Sequence, residues 1–248
     1  MNGERRVVVV TGAAQGIGRA CAERLAEQGL VTVVTDVRIA AAEEVAAGLR
    51  RKGYASRSLP LDVADVPAAT AAIAAVAKEF GRVDVLVNNA GILHTTPIAA
   101  ITEAEWDRIL AVNLKGAFFL SQQVLPHMHA RRWGRIINIA SIAGRMGGYG
   151  SGLAYSASKA GIIGLTRGMA RHVAEFGVTV NAVAPTTTVS PILEKFSAKQ
   201  LEELRQCVPM KRLGEPQDTA AVVRFLASEE AGFITGAVVD VNGGMFMG

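Results

Sequence analysis

Cysteine is almost absent from this chain, and long apolar runs are missing altogether. The two cysteines, Cys21 and Cys207, stand in helix-like contexts without metal-type spacing. That excludes a disulfide-stapled scaffold and a thiolate metal site, and it suits two ordinary thiols in a reducing compartment. Although 50% of the residues are hydrophobic, no stretch is long enough to span a bilayer, so no membrane association is expected. Met1-Asn2-Gly3-Glu4-Arg5-Arg6 leads straight into a strand-like run, so no signal peptide and a cytoplasmic location are expected. Concentrated charge is lacking too. The formal net charge is +4, and its positive residues are scattered, with short clusters such as Arg131-Arg132 and Arg50-Arg51-Lys52. A nucleic-acid partner calls for a basic face and a recognisable module, and neither is present. Cations at these places suit helix ends.

What the chain does have is alternation. Val7–Val10, Val31–Thr35, Val83–Val87, Ile136–Ile139, Val178–Val183 and Val238–Val241 are short β-branched runs of the kind that form buried strands, with Tyr54–Leu61 a weaker member. Between them lie the helix-like segments Arg19–Gln28, Ala40–Arg51, Val66–Phe80, Glu103–Arg131, Tyr155–Phe176 and Pro216–Ser228. Strand–helix alternation predicts a parallel sheet covered by helices on both faces. No linker or repeat divides the 248 residues. The fold class expected is α/β: a single-domain, doubly wound (Rossmann) sheet of about seven strands spanning residues 1–248.

Chemistry collects at the ends of the strands. Thr11-Gly12-Ala13-Ala14-Gln15-Gly16-Ile17-Gly18 joins the first strand to the first helix, where glycines let a backbone turn sharply against a pyrophosphate. Gly12, Gln15, Gly16, Ile17 and Gly18 are therefore candidate dinucleotide contacts. Asp36 ends the second strand about twenty residues further on, placed to accept both ribose hydroxyls. A carboxylate there repels a 2′-phosphate and nothing basic occupies the glycine loop, so NAD(H) is favoured over NADP(H). The plainer alternative is a helix cap at Asp36. Asp62 and Val63 follow the third strand, and Asn88-Asn89-Ala90-Gly91 the fourth. Asp62 suits an adenine amino group, or a cap near Asp65. Asn89, Ala90 and Gly91 suit a cofactor floor, or a turn. Tyr155 and Lys159 lie one helical turn apart, where an ammonium favours a phenolate. Alone, such a pair is an ordinary surface feature.

Thr11-Gly12-x-x-x-Gly16-x-Gly18, Asn88-Asn89-Ala90-Gly91, Asn113, Ser141 and Tyr155-x-x-x-Lys159 together resemble the short-chain dehydrogenase/reductase superfamily over essentially the whole chain. The tail Thr235-Gly236-x-x-x-x-Val241-Asn242-Gly243-Gly244 is similar to the 3-oxoacyl-carrier-protein reductase type. The resemblance implies four catalytic residues. Tyr155 is the general acid/base, Lys159 binds the nicotinamide ribose and lowers the phenol pKa, Ser141 polarises the substrate oxygen, and Asn113 anchors a water leading to Lys159. Ser151, in the glycine-rich loop 144–152, competes with Ser141, which is favoured for its rigid strand end.

It also implies that Pro185, Thr188 and Ser190 meet the nicotinamide, that residues near 186–213 form a substrate lid with a short helix at Ala198–Gln206, and that the chain is a homotetramer. The family continues Pro185 with glycine. Here stands Thr186, which as a β-branched residue resists positive φ and close approach. His94 is a lone loop histidine and is set aside as a surface residue. The expected activity is NAD(H)-linked interconversion of a secondary alcohol and a ketone, with a 3-oxoacyl thioester as leading substrate. Because reductases that build fatty acids usually take NADPH, Asp36 keeps open an NAD-linked dehydrogenase of a sugar, polyol, hydroxy acid or cyclic diol. A dinucleotide sensor without turnover is the remote alternative.

Overall fold

A computed structural model describes residues 5–148, 152–190, 193 and 197–248. Seven parallel strands form one sheet: β1 (Val7–Thr11), β2 (Val31–Asp36), β3 (Ser56–Pro60), β4 (Val85–Asn88), β5 (Gly134–Ile139), β6 (Val178–Pro185) and β7 (Val238–Val241). Their order is β3-β2-β1-β4-β5-β6-β7. The expected α/β class is the one observed. Alternate residues of each inner strand serve opposite faces, as a pleat requires. Val8, Val10, Val85, Val87 and Ile137 join one apolar cluster, while Val7, Val9, Leu86 and Ile136 join the other. With a helix layer over each face, a valine run is buried from both sides, and each such side chain contributes about 1.5–3 kcal/mol.

One layer holds α1 (Gly16–Glu27), α2 (Ile39–Arg51) and α9 (Pro216–Leu226), and the other α3 (Val66–Phe80), α5 (Gly116–Arg131) and α7 (Leu153–Val173). Between them in sequence lie the short helices α4 (Glu103–Leu110), α6 (Ala143–Met146) and α8 (Ala198–Cys207). The chain winds outward in both directions from the neighbours β1 and β4. Their carboxyl ends therefore open a crevice at the point where strand order reverses.

Three local features depart from the sequence expectation. The helix predicted over Glu103–Arg131 is interrupted by a π turn at Ala111–Lys115, between α4 and α5. Such a wide turn rotates the following side chains out of helical register, and Asn113 sits inside it. The fourth strand starts at Val85, not Val83. Buried Asp84 carries an ion pair with Arg82 at 2.6 Å, and its Oδ2 also accepts the Val7 N–H at 2.8 Å, taking the place of a ladder bond. Finally, α6 breaks the expected loop after β5. Ser151 and the lid residues Ile192, Lys195 and Phe196 lie outside the described residues.

Candidate active site

The site begins with a knot between the ends of β1 and β4. Thr11 Oγ1 accepts the N–H groups of Asn89 and Ala90, each at 3.0 Å. Asn89 Nδ2 donates back to the Thr11 and Gly12 carbonyls at 2.8 and 3.0 Å. The two loops approach so closely that a Cβ on residue 12 would lie 2.9 Å from Ala90 Cα, at a φ of +60°. A Cβ on residue 18 would overlap the Asn89 amide. Glycine at both positions is thus required by backbone contact. At the start of α1 the cap residue Gln15 makes no side-chain cap bond, and no acidic residue occupies the first turn. The first N–H groups of the helix consequently keep free hydrogen-bonding capacity and positive potential toward the crevice.

Two cavities lie along the carboxyl edge of the sheet and share Ile17, Asn89, Gly91, Ile92, Thr188 and Ser190, so they form one trough. The larger, about 390 Å³, is lined by Gly12, Gln15, Gly16, Asp36, Arg38, Leu61, Asp62, Val63, Ala90 and Arg108. Asp36 is buried, and its carboxylate accepts the Ala14 N–H at 3.1 Å and the Arg38 N–H at 3.0 Å. Asp36 does not cap α2: the cap position is Arg38. The Arg38 side chain pairs with Asp36 at 3.3 Å and donates to Gln15 Oε1 at 2.9 Å. A cation therefore does reach the glycine loop, from a residue outside it. Asp62 does not cap α3 either. That part belongs to Asp65, while Asp62 accepts the Ala64 N–H at 2.9 Å and faces Arg108 at 3.5 Å.

The smaller cavity, about 250 Å³, holds Ser141, Tyr155, Lys159, Pro185, Thr186 and Thr188 beside an apolar wall of Leu93, Ile142, Met146, Leu193, Leu204 and Met245. Ser141 hydrogen-bonds the Tyr155 phenol, which lowers the phenol pKa. Burial is the larger influence and pushes that pKa above its ordinary value. The lysine charge is not what offsets it. Lys159 Nζ lies 5.7 Å from the centre of the tyrosine ring and donates to the Ile139 carbonyl at 2.6 Å. Lys159 is only 4% exposed, and burial brings its own pKa down to about 8. Both groups are thus drawn toward their neutral forms.

Every residue expected to touch the dinucleotide lines the trough except Gly18, which lies under the Asn89 amide, and Asn113 stands just behind the wall. Asn113 Oδ1 accepts the Ile92 N–H at 2.8 Å, and its Nδ2 donates to the Ile92 carbonyl and Ser158 Oγ, both at 3.0 Å. A Cβ on Gly91 would be 3.4 Å from Asn113 Oδ1 and 3.5 Å from Lys159 Nζ, so the two flank one point. Thr186 is not strained. Arg132 and Lys211 are the only non-glycine residues with positive φ among the described residues. The Thr186 N–H donates to Val241 O at 3.2 Å, and Thr188 forms a bridge with Gly214. Sequence reasoning missed Arg108 and Met245, whose positions depend on α4 and the C-terminal tail. It also missed His94, whose ring is buried against the start of α7.

A trough with uncapped helix N–H groups at its middle, a buried carboxylate at one end and a Ser–Tyr–Lys cluster at the other fits a nicotinamide dinucleotide. Residues 12–246 match a family model described as Enoyl-(Acyl carrier protein) reductase. The chain is also 43% identical over 247 residues, and 100% of each chain, to 3-oxoacyl-acyl-carrier-protein reductase FabG of Vibrio cholerae. This chain belongs to the short-chain dehydrogenase/reductase family. The FabG protein of Staphylococcus epidermidis is 44% identical over 240 residues, covering 96% of this chain and 98% of its own. The crystal structure of gox2181 superimposes with a TM-score of 0.94 at 35% identity, over 98% of this chain and 96% of that one. As a short-chain dehydrogenase/reductase of the FabG type, the protein is an oxidoreductase acting on a CH–OH or keto group, with a nicotinamide dinucleotide as cofactor. No helix among the described residues is long and apolar enough to cross a membrane.

Proposed function

We propose that this protein reduces the keto group of a 3-oxoacyl thioester, with NADH preferred over NADPH. The observation that carries the reading is the composition of the smaller cavity. Beside Ser141, Tyr155 and Lys159, and beyond Thr186, Thr187, Thr188 and Ser190 of the nicotinamide turn, the substrate end carries a wall of Leu93, Ile142, Met146, Leu193, Leu204 and Met245. An acyl chain gains from such a wall, whereas a sugar or polyol would leave its hydroxyls unpaired there. The relatives' name, 3-oxoacyl-acyl-carrier-protein reductase, points the same way.

Gly12, Gln15, Gly16, Ile17, Gly18, Asn89, Ala90 and Gly91 would cradle the pyrophosphate and its sugars. Asp36 would accept the adenosine ribose hydroxyls, Asp62 and Val63 would face the adenine, and Pro185, Thr188 and Ser190 the carboxamide. The bound cofactor supplies the hydride. Ser141 would hold the substrate oxygen and stabilise charge growing on it, while the Tyr155 hydroxyl gives that oxygen its proton. A phenol kept neutral by burial holds the proton that keto reduction needs. Lys159 would turn from the Ile139 carbonyl to the ribose hydroxyls, and the gap over Gly91 between Lys159 and Asn113 would take the water that returns a proton to it. We take the chain as one dinucleotide-binding unit with residues near 186–213 as its lid.

A homotetramer built on α5 and α7 follows the family resemblance, and two features support it. Gly164 and Gly168 leave an open stripe on α7, and Phe118 stands exposed on α5. Asp36 supports a second reading, NAD-linked oxidation of a hydroxy acid or cyclic diol. Steady-state rates across 3-oxoacyl thioesters of increasing length, sugars, polyols and cyclic diols decide between them. The proposal expects kcat/KM to rise with acyl length. A preference for a polyol or diol would overturn it, and no turnover with any substrate would favour a sensor.

A further inference from the structure

The start of α7 places Tyr155 at the third helical position, where a backbone N–H needs an acceptor from outside the helix. The cap residue, Gly152, has no side chain to offer one. The acceptor comes instead from the loop after β4: the Tyr155 N–H donates to His94 Nε2 at 3.4 Å. The Gly152 N–H donates to the His94 carbonyl at 2.8 Å, so the loop grips the helix start twice. A Cβ on residue 152 would overlap the imidazole ring. A serine or aspartate cap is therefore sterically excluded, and glycine at 152 is what admits the histidine.

Accepting a hydrogen bond at Nε2 means that this nitrogen carries no proton, and a neutral ring then bears it on Nδ1. Nδ1 lies 3.0 Å from Glu105 Oε1. It does not meet hydrogen-bond geometry, so the carboxylate acts on the Nδ1–H dipole of the neutral ring as a charge–dipole contact that favours this tautomer. Thr96 Oγ1 donates to the same carboxylate oxygen at 2.6 Å and fixes it in place. On the other side of the same residue, the Tyr155 carbonyl accepts from Ser158 Oγ at 2.7 Å, and Ser158 Oγ accepts from Asn113. Both backbone polar groups of Tyr155 are thus held by side chains, His94 above and Ser158 below.

We propose that His94 is a positioning residue for the reaction: held by Glu105, its neutral imidazole replaces the missing cap of α7 and fixes the backbone that carries the Tyr155 phenol. This rests on Tyr155 being the proton donor. Because an error of about 1 Å at a reacting group can cost on the order of a hundredfold in rate, loss of this grip should appear in kcat. It should leave cofactor affinity untouched, since His94 does not line the trough.

The test compares His94→Met, which fills space without accepting, with His94→Gln, whose amide oxygen can accept. NADH binding is followed by nicotinamide fluorescence, and turnover by keto reduction of an acetoacetyl thioester. His94→Met is expected to lower kcat on the order of tenfold or more with the Kd for NADH unchanged, and His94→Gln to recover most of the loss. Wild-type kcat in His94→Met, or equal losses in both variants, overturns the proposal. Should His94→Met not fold, Gly152→Ala displaces the same ring and is expected to give the same kcat loss. Unchanged kcat in that variant would also overturn it. Tyr155→Phe separates the two levels: turnover retained there removes the acid role and the positioning role with it. An inactive Tyr155→Phe beside a fully active His94→Met removes only the latter.

Discussion

The two ends of the trough handle charge in opposite ways. At the wide end, Asp36 pairs with Arg38 and Asp62 faces Arg108, and both carboxylates also accept backbone N–H groups. At the narrow end Tyr155 and Lys159 have hydrogen bonds but no ion pair among the described residues, and burial moves both toward neutrality. Charge that is paired and hydrogen-bonded is fixed in position, which suits a group that must present the same face to every bound cofactor. Charge that is merely buried stays adjustable, and this suits groups that must give and regain a proton. The same fold edge thus provides fixed recognition on one side and responsive chemistry on the other.

The largest effect expected from breaking this arrangement is at the narrow end. Tyr155→Phe should lower kcat by about 10²–10⁴, the usual worth of a positioned acid, while NADH still binds. Fluorescence titration beside turnover measures both, and a variant within a few-fold of wild type would remove the acid role.

At the wide end, Asp36→Ala should cut the NADH-over-NADPH ratio of kcat/KM by about tenfold to a hundredfold, because Arg38 is then free to meet a 2′-phosphate. A ratio left unchanged would mean that Asp36 takes no part in selection.

Lys159→Met should separate stability from function. In the folded chain this lysine has a pKa near 8, against 10.5 for an unperturbed one. Between those values the unfolded chain binds more protons, so the lysine's destabilising effect is complete below about pH 8 and fades as pH rises toward 10.5. The variant should lose turnover yet melt higher than wild type at pH 7, with the gap closing by pH 10. A lower Tm at both pH values would contradict the account.

The smallest effect is expected at Thr186. Glycine there removes only the Oγ1 contact with Met245 Sδ and adds backbone freedom, a cost of about 1 kcal/mol or less by chemical melting.

Much of this was legible in the sequence for one physical reason: strands buried on both faces must be continuous apolar runs, and phosphate-binding turns need glycine. The six stronger strand segments and the glycine-loop residues were found that way, and the Ser141, Tyr155 and Lys159 cluster through the motif spacing that the family shares. What escaped was non-local. The π turn around Asn113 lies in a stretch of ordinary helical composition, and nothing in Ala111–Lys115 announces a widened turn. His94 looks like any loop histidine until α7 is placed against it. Thr186 looked strained by analogy with glycine, but in the chain it leaves positive φ unused and hydrogen-bonds to the β7 end. The lysine's influence on the phenol was expected from spacing along the helix. Its ammonium is instead engaged by the Ile139 carbonyl, a contact set by the sheet.

The central claim is keto reduction of a thioester by NADH at this site. Mixing wild-type protein and NADH with an acetoacetyl thioester, and following loss of absorbance at the nicotinamide band, tests it most directly. The account predicts rapid loss with NADH, several-fold slower loss with NADPH at equal concentration, and no comparable signal from NAD⁺ with a polyol. A strong NADPH preference, or turnover confined to the polyol, would contradict it.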